Sequence, residues 1–358
     1  MISRAEILRW LREEEPARLA GLYRLADAVR RARVGDQVHL RGLVELSNHC
    51  VRRCAYCGIA ASNPGITRYR MSRKEILECA RQAAGFGFGT VVLQAGEDLG
   101  LTGPWVADLV RTIKSESGLA VTLSLGERGE EELALWRAAG ADRYLLRFET
   151  SSRELYERIH PSLPGARSDR PWLLTRLRAL GYEIGSGVMV GIPGQTWESL
   201  ADDIVLFREL DLDMIGVGPY LRHPATPLGS GALPPAPPGD QATPTEETTT
   251  KVVALSRIAC PEANIPSTTA LATLDPAQGR ELGLKRGANV VMPNLTPPAY
   301  RPLYEIYPGK ACLHETAEAC AGCLPTRIRT IGRIPGTGPG GRRKVAPPPA
   351  PPDGAQGS

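Results

Sequence analysis

The chain has 358 residues, 42% hydrophobic and 23% charged, the balance of an ordinary soluble globular protein. Its 43 basic and 39 acidic residues leave a net charge of +4, which favours no polyanionic partner, so nucleic-acid binding is not expected. No apolar run has membrane-spanning length, Met-Ile-Ser-Arg-Ala-Glu is no signal peptide, and eight cysteines are too few to staple a secreted domain; a cytoplasmic protein with reduced thiols is expected.

The amino-terminal extension, residues 1–36, reads as two helices. Ser3 and Glu6 make a capping box ahead of Ile7, Leu8, Trp10 and Leu11, and a second helix runs from about Pro16 to Arg33. Short apolar runs follow at 42–46, 90–95, 120–125, 143–148, 184–190, 214–217, 265–269 and 289–292. Amphipathic segments such as 72–85 and 196–210 lie between them. Alternation of strand and helix implies parallel pairing, and strands apolar throughout imply burial on both faces. Eight units suit an α/β fold closed as a complete (β/α)8 barrel over 37–300, a size common for that fold, with an open doubly wound sheet as the alternative. Residues 301–335 form a further segment, 233–245 a proline-rich loop, and 336–358 a flexible tail. Polar residues cluster after the strands, at Ser47-Asn48, Gly96-Glu97-Asp98, Gly126-Glu127, Glu149-Thr150, Gly191–Gly194 and Pro293-Asn294, which is where a barrel carries its chemistry.

The most specific signal is Cys50-x-x-x-Cys54-x-x-Cys57, followed by Gly58 to let the chain turn tightly. An iron–sulfur cube ordinarily takes four cysteine thiolates, so three in one loop leave one iron open to a small chelating molecule. A structural zinc site is the bland alternative, but it wants a fourth ligand, and the adjacent His49 is awkwardly placed to share the metal. A second set, Cys312, Cys320 and Cys323, lies beyond the barrel. It suits an accessory [2Fe–2S] or [4Fe–4S] cluster, or zinc with His314 as the structural alternative. Cys79 and Cys260 sit in helical patterns and read as buried thiols.

The cysteine loop with its aromatic Tyr56 resembles the signature of the radical S-adenosylmethionine (SAM) superfamily. Longer stretches narrow the resemblance. Arg68-Tyr69-Arg70-Met71, Val92–Asp98, Thr122–Glu127, Asp142–Thr150, Met189–Thr196, Ile265–Ala270 and Gly287–Thr296 resemble HydE, the radical SAM maturase family of [FeFe]-hydrogenase, over roughly residues 40 to 335. Methylornithine synthase is a nearer relative than biotin synthase outside it. The Gly-Gly-Glu motif common in the superfamily departs here to Ala95-Gly96-Glu97.

The resemblance implies a [4Fe–4S] cluster on Cys50, Cys54 and Cys57, and SAM held by Tyr56, Gly96, Glu97, Ser124, Glu149 and Arg170. Reductive cleavage of SAM to a 5′-deoxyadenosyl radical follows from it. Thr122, Arg143, Arg147, Thr268 and Thr269 are the candidates for holding an anionic or amino-acid-like substrate inside the barrel. The competing reading of the two arginines is an internal salt-bridge network, with Glu149 pairing to Arg147. Implied partners are the HydG and HydF maturases, a ferredoxin or flavodoxin reductant, and an organometallic, cysteine-derived substrate. The rival functions are a methylornithine-synthase-like mutase and, in another class, a non-enzymatic iron–sulfur carrier. The implied SAM pocket weighs against the carrier, and the accessory cysteines weigh mildly against the mutase.

Overall fold

The computed structural model describes residues 2–343, except 233, 235, 238, 312 and 314. The two amino-terminal helices form as expected, Arg4–Leu11 under a complete Ser3/Glu6 capping box and Pro16–Val34 with proline at its first position. Eight strands follow: β1 (Gln37–Ser47), β2 (Thr90–Ala95), β3 (Ala120–Ser124), β4 (Arg143–Leu145), β5 (Glu183–Val190), β6 (Met214–Pro219), β7 (Val290–Val291) and β8 (Ile334–Pro335). Every pairing is parallel, and the strand order is β6-β5-β4-β3-β2-β1-β7, with β8 also joined to β1. The architecture is α/β, a parallel sheet forming a partial barrel under an outer layer of helices.

The period of two is visible along each strand. Val91, Leu93, Val121 and Leu123 belong to the main hydrophobic core, whereas Val92, Gln94, Thr122 and Ser124 line the interior cavities. In β1 the alternation is chemically sharper, since Leu40, Val44 and Leu46 pack in the core while Arg41, Leu43 and Glu45 line the inside.

The expected strand at 265–269 does not form. Pro266 has no N–H to give a ladder, and the Thr268 side chain accepts from the Leu271 amide to start the helix Thr269–Leu274. The stretch still touches both neighbours, through single bridges from Asn264 to Met214 and from Pro266 to Val290. β4 is also shorter than expected, so Arg147 and Glu149 lie beyond its end.

The expected tail begins differently in its described part. Residues 336–343 cross the base of the barrel. The Pro339 carbonyl accepts from Thr90 Oγ1 and Arg143 Nη2, both at 2.9 Å, and the Gly340 carbonyl accepts from Arg41 Nη2 at 2.9 Å and Asn264 Nδ2 at 3.1 Å. Arg342 pairs with Asp211 at 2.7 Å and Asp213 at 3.3 Å. Strand-base arginines need acceptors when buried, and this strap's backbone carbonyls supply them. Gly89, ahead of β2, lies so close that a Cβ there would sit 1.7 Å from the Gly338 oxygen. Gly89→Ala should therefore lift the strap, speed tryptic cleavage after Arg342 and Arg343, and cost about 1–3 kcal/mol of stability as overpacking does. Limited proteolysis beside denaturant unfolding checks this.

Candidate functional site

The cysteine loop leaves the carboxyl end of β1 and is fastened on every side. Ser47 Oγ donates to Asp98 at 2.7 Å, and Asp98 is held by Arg70 at 2.7 Å. The Val51 amide donates to the Glu97 carbonyl at 3.0 Å, Ala55 to Ile159 at 2.8 Å, and Gly58 to Ile306 at 3.0 Å. Arg68 caps the carbonyls of Asn48, Ile59 and Ala60. Gly58 matters for a different reason than a tight turn: an added Cβ would meet the Glu305 carbonyl oxygen at 2.1 Å. Close approach, rather than a left-handed backbone, demands glycine here.

Beneath the loop lies a buried ionic network. Arg52, from between the cysteines, donates to Glu97 Oε1 at 2.7 Å and pairs with Glu127 at 3.1 Å. Glu127 also receives Arg170 Nε at 2.9 Å and Ser168 Oγ at 2.6 Å, and lies 3.3 Å from His160 Nε2. Burial opposes its charge, but the His160 hydrogen bond, the Arg170 guanidinium, Ser168 and Arg52 outweigh it and hold the carboxyl well below the usual range. Burial pushes Glu97 upward, with Arg52 working against it. Arg170 is buried at the start of the helix Arg170–Ala179; its Nε donates to Glu127 and its Nη1 to the Arg147 carbonyl at 2.6 Å, two of the five N–H groups that a guanidinium carries.

Cys50, Cys54 and Cys57 are unbonded thiols that line one cavity of about 240 Å³. Burial raises all three, Cys54 to about 12, and Cys54 Sγ sits 3.0 Å from His160 Nδ1. All six residues expected to hold SAM (Tyr56, Gly96, Glu97, Ser124, Glu149 and Arg170) line the same cavity. Gly96 packs against the loop so closely that a Cβ would meet the His49 oxygen at 2.3 Å and Cys50 Cβ at 2.9 Å. His49 itself does not line the cavity. Glu149 adopts a left-handed backbone, φ +64°, a conformation costing on the order of 1–3 kcal/mol that clusters at functional sites.

A deeper cavity of about 140 Å³ shares Gln94, Leu145, Arg147 and Ala270 with the first. Thr122, Arg147, Thr268 and Thr269 line it as expected. Arg143 does not, and that expectation is corrected: it stands at the base of β4, bonded to Glu183 at 2.6 Å, Thr90 and the strap. Three groups at the junction are orphaned. Arg147 and Glu149 approach to 3.0 Å, but misaligned, so Arg147 Nε and Nη2 and Glu149 Oε2 are buried without hydrogen bonds, as is Thr122 Oγ1. Buried polar groups left unmade are costly, and a ligand seated in these cavities would complete them.

Sequence reasoning missed Arg41, the buried Glu45–Lys310 pair and Gln94 in the cavity walls, and the Arg52–Glu127–His160 network. The signal for the first was present: Arg41 and Glu45 stand four apart, on one face, within the Leu40–Leu46 stretch of β1 whose other residues are apolar. In the second cysteine set, Cys320 and Cys323 lie one turn apart on the helix Ala317–Thr330, while Cys312 and His314 fall outside the described residues. Cys79 and Cys260 are buried, as expected.

Residues 44–207 match the model of the Radical SAM superfamily. The [FeFe] hydrogenase maturase subunit HydE of Thermotoga maritima is 47% identical over 324 residues, covering 90% of this chain and 89% of the relative. The chain belongs to the HydE family. It is thus an enzyme of the radical SAM superfamily. The 3-methylornithine synthase of Methanosarcina acetivorans is 30% identical over 287 residues, 78% of this chain and 75% of the relative. A crystal structure of methylornithine synthase superposes with a TM-score of 0.78 at 25% identity, covering 94% of each chain. HydE membership implies a [4Fe–4S] cluster and SAM, and the three unbonded thiols beside orphaned charged groups fit them.

Arg52 compensates two buried carboxylates, so Arg52→Met should lower unfolding free energy by about 3–5 kcal/mol. Arg147→Met, which removes the 3.0 Å ion-pair partner of the buried Glu149 carboxylate but no aligned hydrogen bond, should cost less, about 1–3 kcal/mol. Urea unfolding of the apoprotein compares the two.

Proposed function

We propose that this protein is a HydE-type maturase that uses SAM to act on an organometallic, cysteine-derived precursor during assembly of the [FeFe]-hydrogenase active site. The observation carrying this reading is the convergence of Cys50, Cys54 and Cys57 on a cavity whose far wall is the orphaned Arg147–Glu149 pair, in a chain 47% identical to a HydE along nearly its whole length. The cluster, when bound, supplies the electron that cleaves the sulfonium of SAM. The chain's own residues do the rest. The three thiols hold the cluster, and Arg68, Asp98 and Arg52 keep their loop still. Gly96 allows the backbone to close on that loop. Glu97, Ser124 and Glu149 offer acceptors around SAM, and Arg170, anchored by Glu127 and the Arg147 carbonyl, turns its remaining donors to the SAM carboxylate. Arg147, with Thr122, Thr268 and Thr269, holds the substrate from the deeper cavity, where low solvation strengthens a charge-assisted bond.

In the same reading, single bridges at 264–266 close the sheet into a complete eight-unit barrel, and the segment carrying Cys320 and Cys323 holds an accessory iron–sulfur cluster with Cys312. HydG, HydF and a ferredoxin or flavodoxin are the partners in the cytoplasm. No helix among the described residues is long and apolar enough to cross a membrane.

Anaerobically reconstituted protein given dithionite should convert SAM to 5′-deoxyadenosine and methionine, and Cys54→Ala should abolish this; undiminished cleavage by that variant would sink the reading. Arg147→Met should weaken substrate engagement roughly ten- to hundredfold, from the loss of about 1.5–3 kcal/mol in one charge-assisted bond. Uncoupled SAM cleavage should persist, and hydrogenase activity recovered in a maturation assay should fall.

A further inference from the structure

Asp203 is fully buried on the helix Trp197–Glu209, outside both cavities. Its Oδ1 accepts from the Ser151 backbone amide at 2.5 Å and the Ser151 hydroxyl at 2.6 Å, and its Oδ2 accepts from Gln195 Nε2 at 3.2 Å. All three donors are neutral. Burial pushes the carboxyl up to about 7, against the Ser151 bonds and with a small upward push from Asp202. A buried carboxylate with neutral partners is an expensive way to stabilise a fold.

Its partners explain its presence. Ser151 follows Glu149 by two residues, in the segment where Glu149 takes its left-handed backbone and bridges to Val188. Gln195 is buried too, and it donates to the Met189 carbonyl at 3.0 Å while its Oε1 accepts the Gly191 amide at 2.6 Å. Met189 and Glu149 both line the cavity with the cysteines. One carboxylate therefore ties the loop after β4 to the loop after β5, across the wall they share.

We propose that Asp203 is a positioning residue, which fixes Glu149 and Met189 in the wall of the SAM cavity through Ser151 and Gln195. This rests on the reading that the cavity takes SAM. The donor pattern requires two acceptor oxygens. Asparagine, nearly the same size, has one: with it turned to Ser151, its amide meets Gln195 Nε2 donor against donor, and turned the other way it strands both Ser151 donors.

The test titrates SAM against reconstituted wild type, Asp203→Asn and Ser151→Ala, with 5′-deoxyadenosine formation and thermal midpoint measured on each. Asp203→Asn should raise the KM for SAM about tenfold, keep kcat at saturating SAM within about twofold, and lower the thermal midpoint by no more than Ser151→Ala does. Ser151→Ala, which removes one of the three donors and leaves the fold otherwise intact, should raise KM less, in the same direction. Wild-type KM in folded Asp203→Asn, or a KM rise that follows a fall in midpoint across the variants, would overturn the inference. If wild type itself fails to bind SAM, the reading of the cavity falls instead.

Discussion

The constraint on which the site depends is a single buried arginine. Arg52 comes from inside the cysteine loop, yet its guanidinium joins Glu97 at the end of β2 to Glu127 just beyond β3. A loop that must present three sulfurs at fixed positions has no secondary structure of its own to do so. Its rigidity is borrowed from two strand ends through a charge that cannot leave without stranding Glu97 and weakening the hold on Glu127. His160, Ser168 and Arg170 converge on Glu127 from the following loops, so the same network continues around the cavity.

The interior is arranged as a gradient from that network downward. Near the cysteines Arg52, Glu97, Glu127 and Arg170 pair with one another, although Arg52 Nη1 is buried without a hydrogen bond. At the junction of the two cavities, Arg147 and Glu149 form an ion pair at 3.0 Å with no aligned hydrogen bond. Deeper still, Glu45 is paired with Lys310 and Arg41 is tied to the strap at the base. Arg147 lines both cavities and Glu149 the upper one, so their unsatisfied atoms lie where cofactor and substrate spaces meet.

Much of this was legible in the sequence. The cysteine spacing, the strand-end polar clusters and the longer stretches placed all six SAM candidates on one cavity, because residues at strand ends of a parallel sheet can point to only one mouth. Local pattern failed where tertiary context decided the outcome. The run 265–269 stands where the alternation calls for a strand, but Pro266 and the Thr268 cap turn it into a bridge and a helix start. Arg143 and Arg147 look alike from sequence, and only the early end of β4 reveals that one faces the base and the other the cavity. The glycine- and proline-rich residues 336–343 resemble a tail because backbone carbonyls, which every residue has, carry their contacts.

The central claim is that three cysteines hold a cube whose fourth iron is left for SAM. The most direct measurement is pulsed electron–nuclear double resonance on the reduced, reconstituted protein with SAM labelled at its amino nitrogen and carboxylate oxygens. The account predicts hyperfine couplings from both labels to the cluster, lost when unlabelled SAM replaces them. Tight SAM binding with no coupling from either label would mean that the fourth iron is closed by the protein, and would contradict the account.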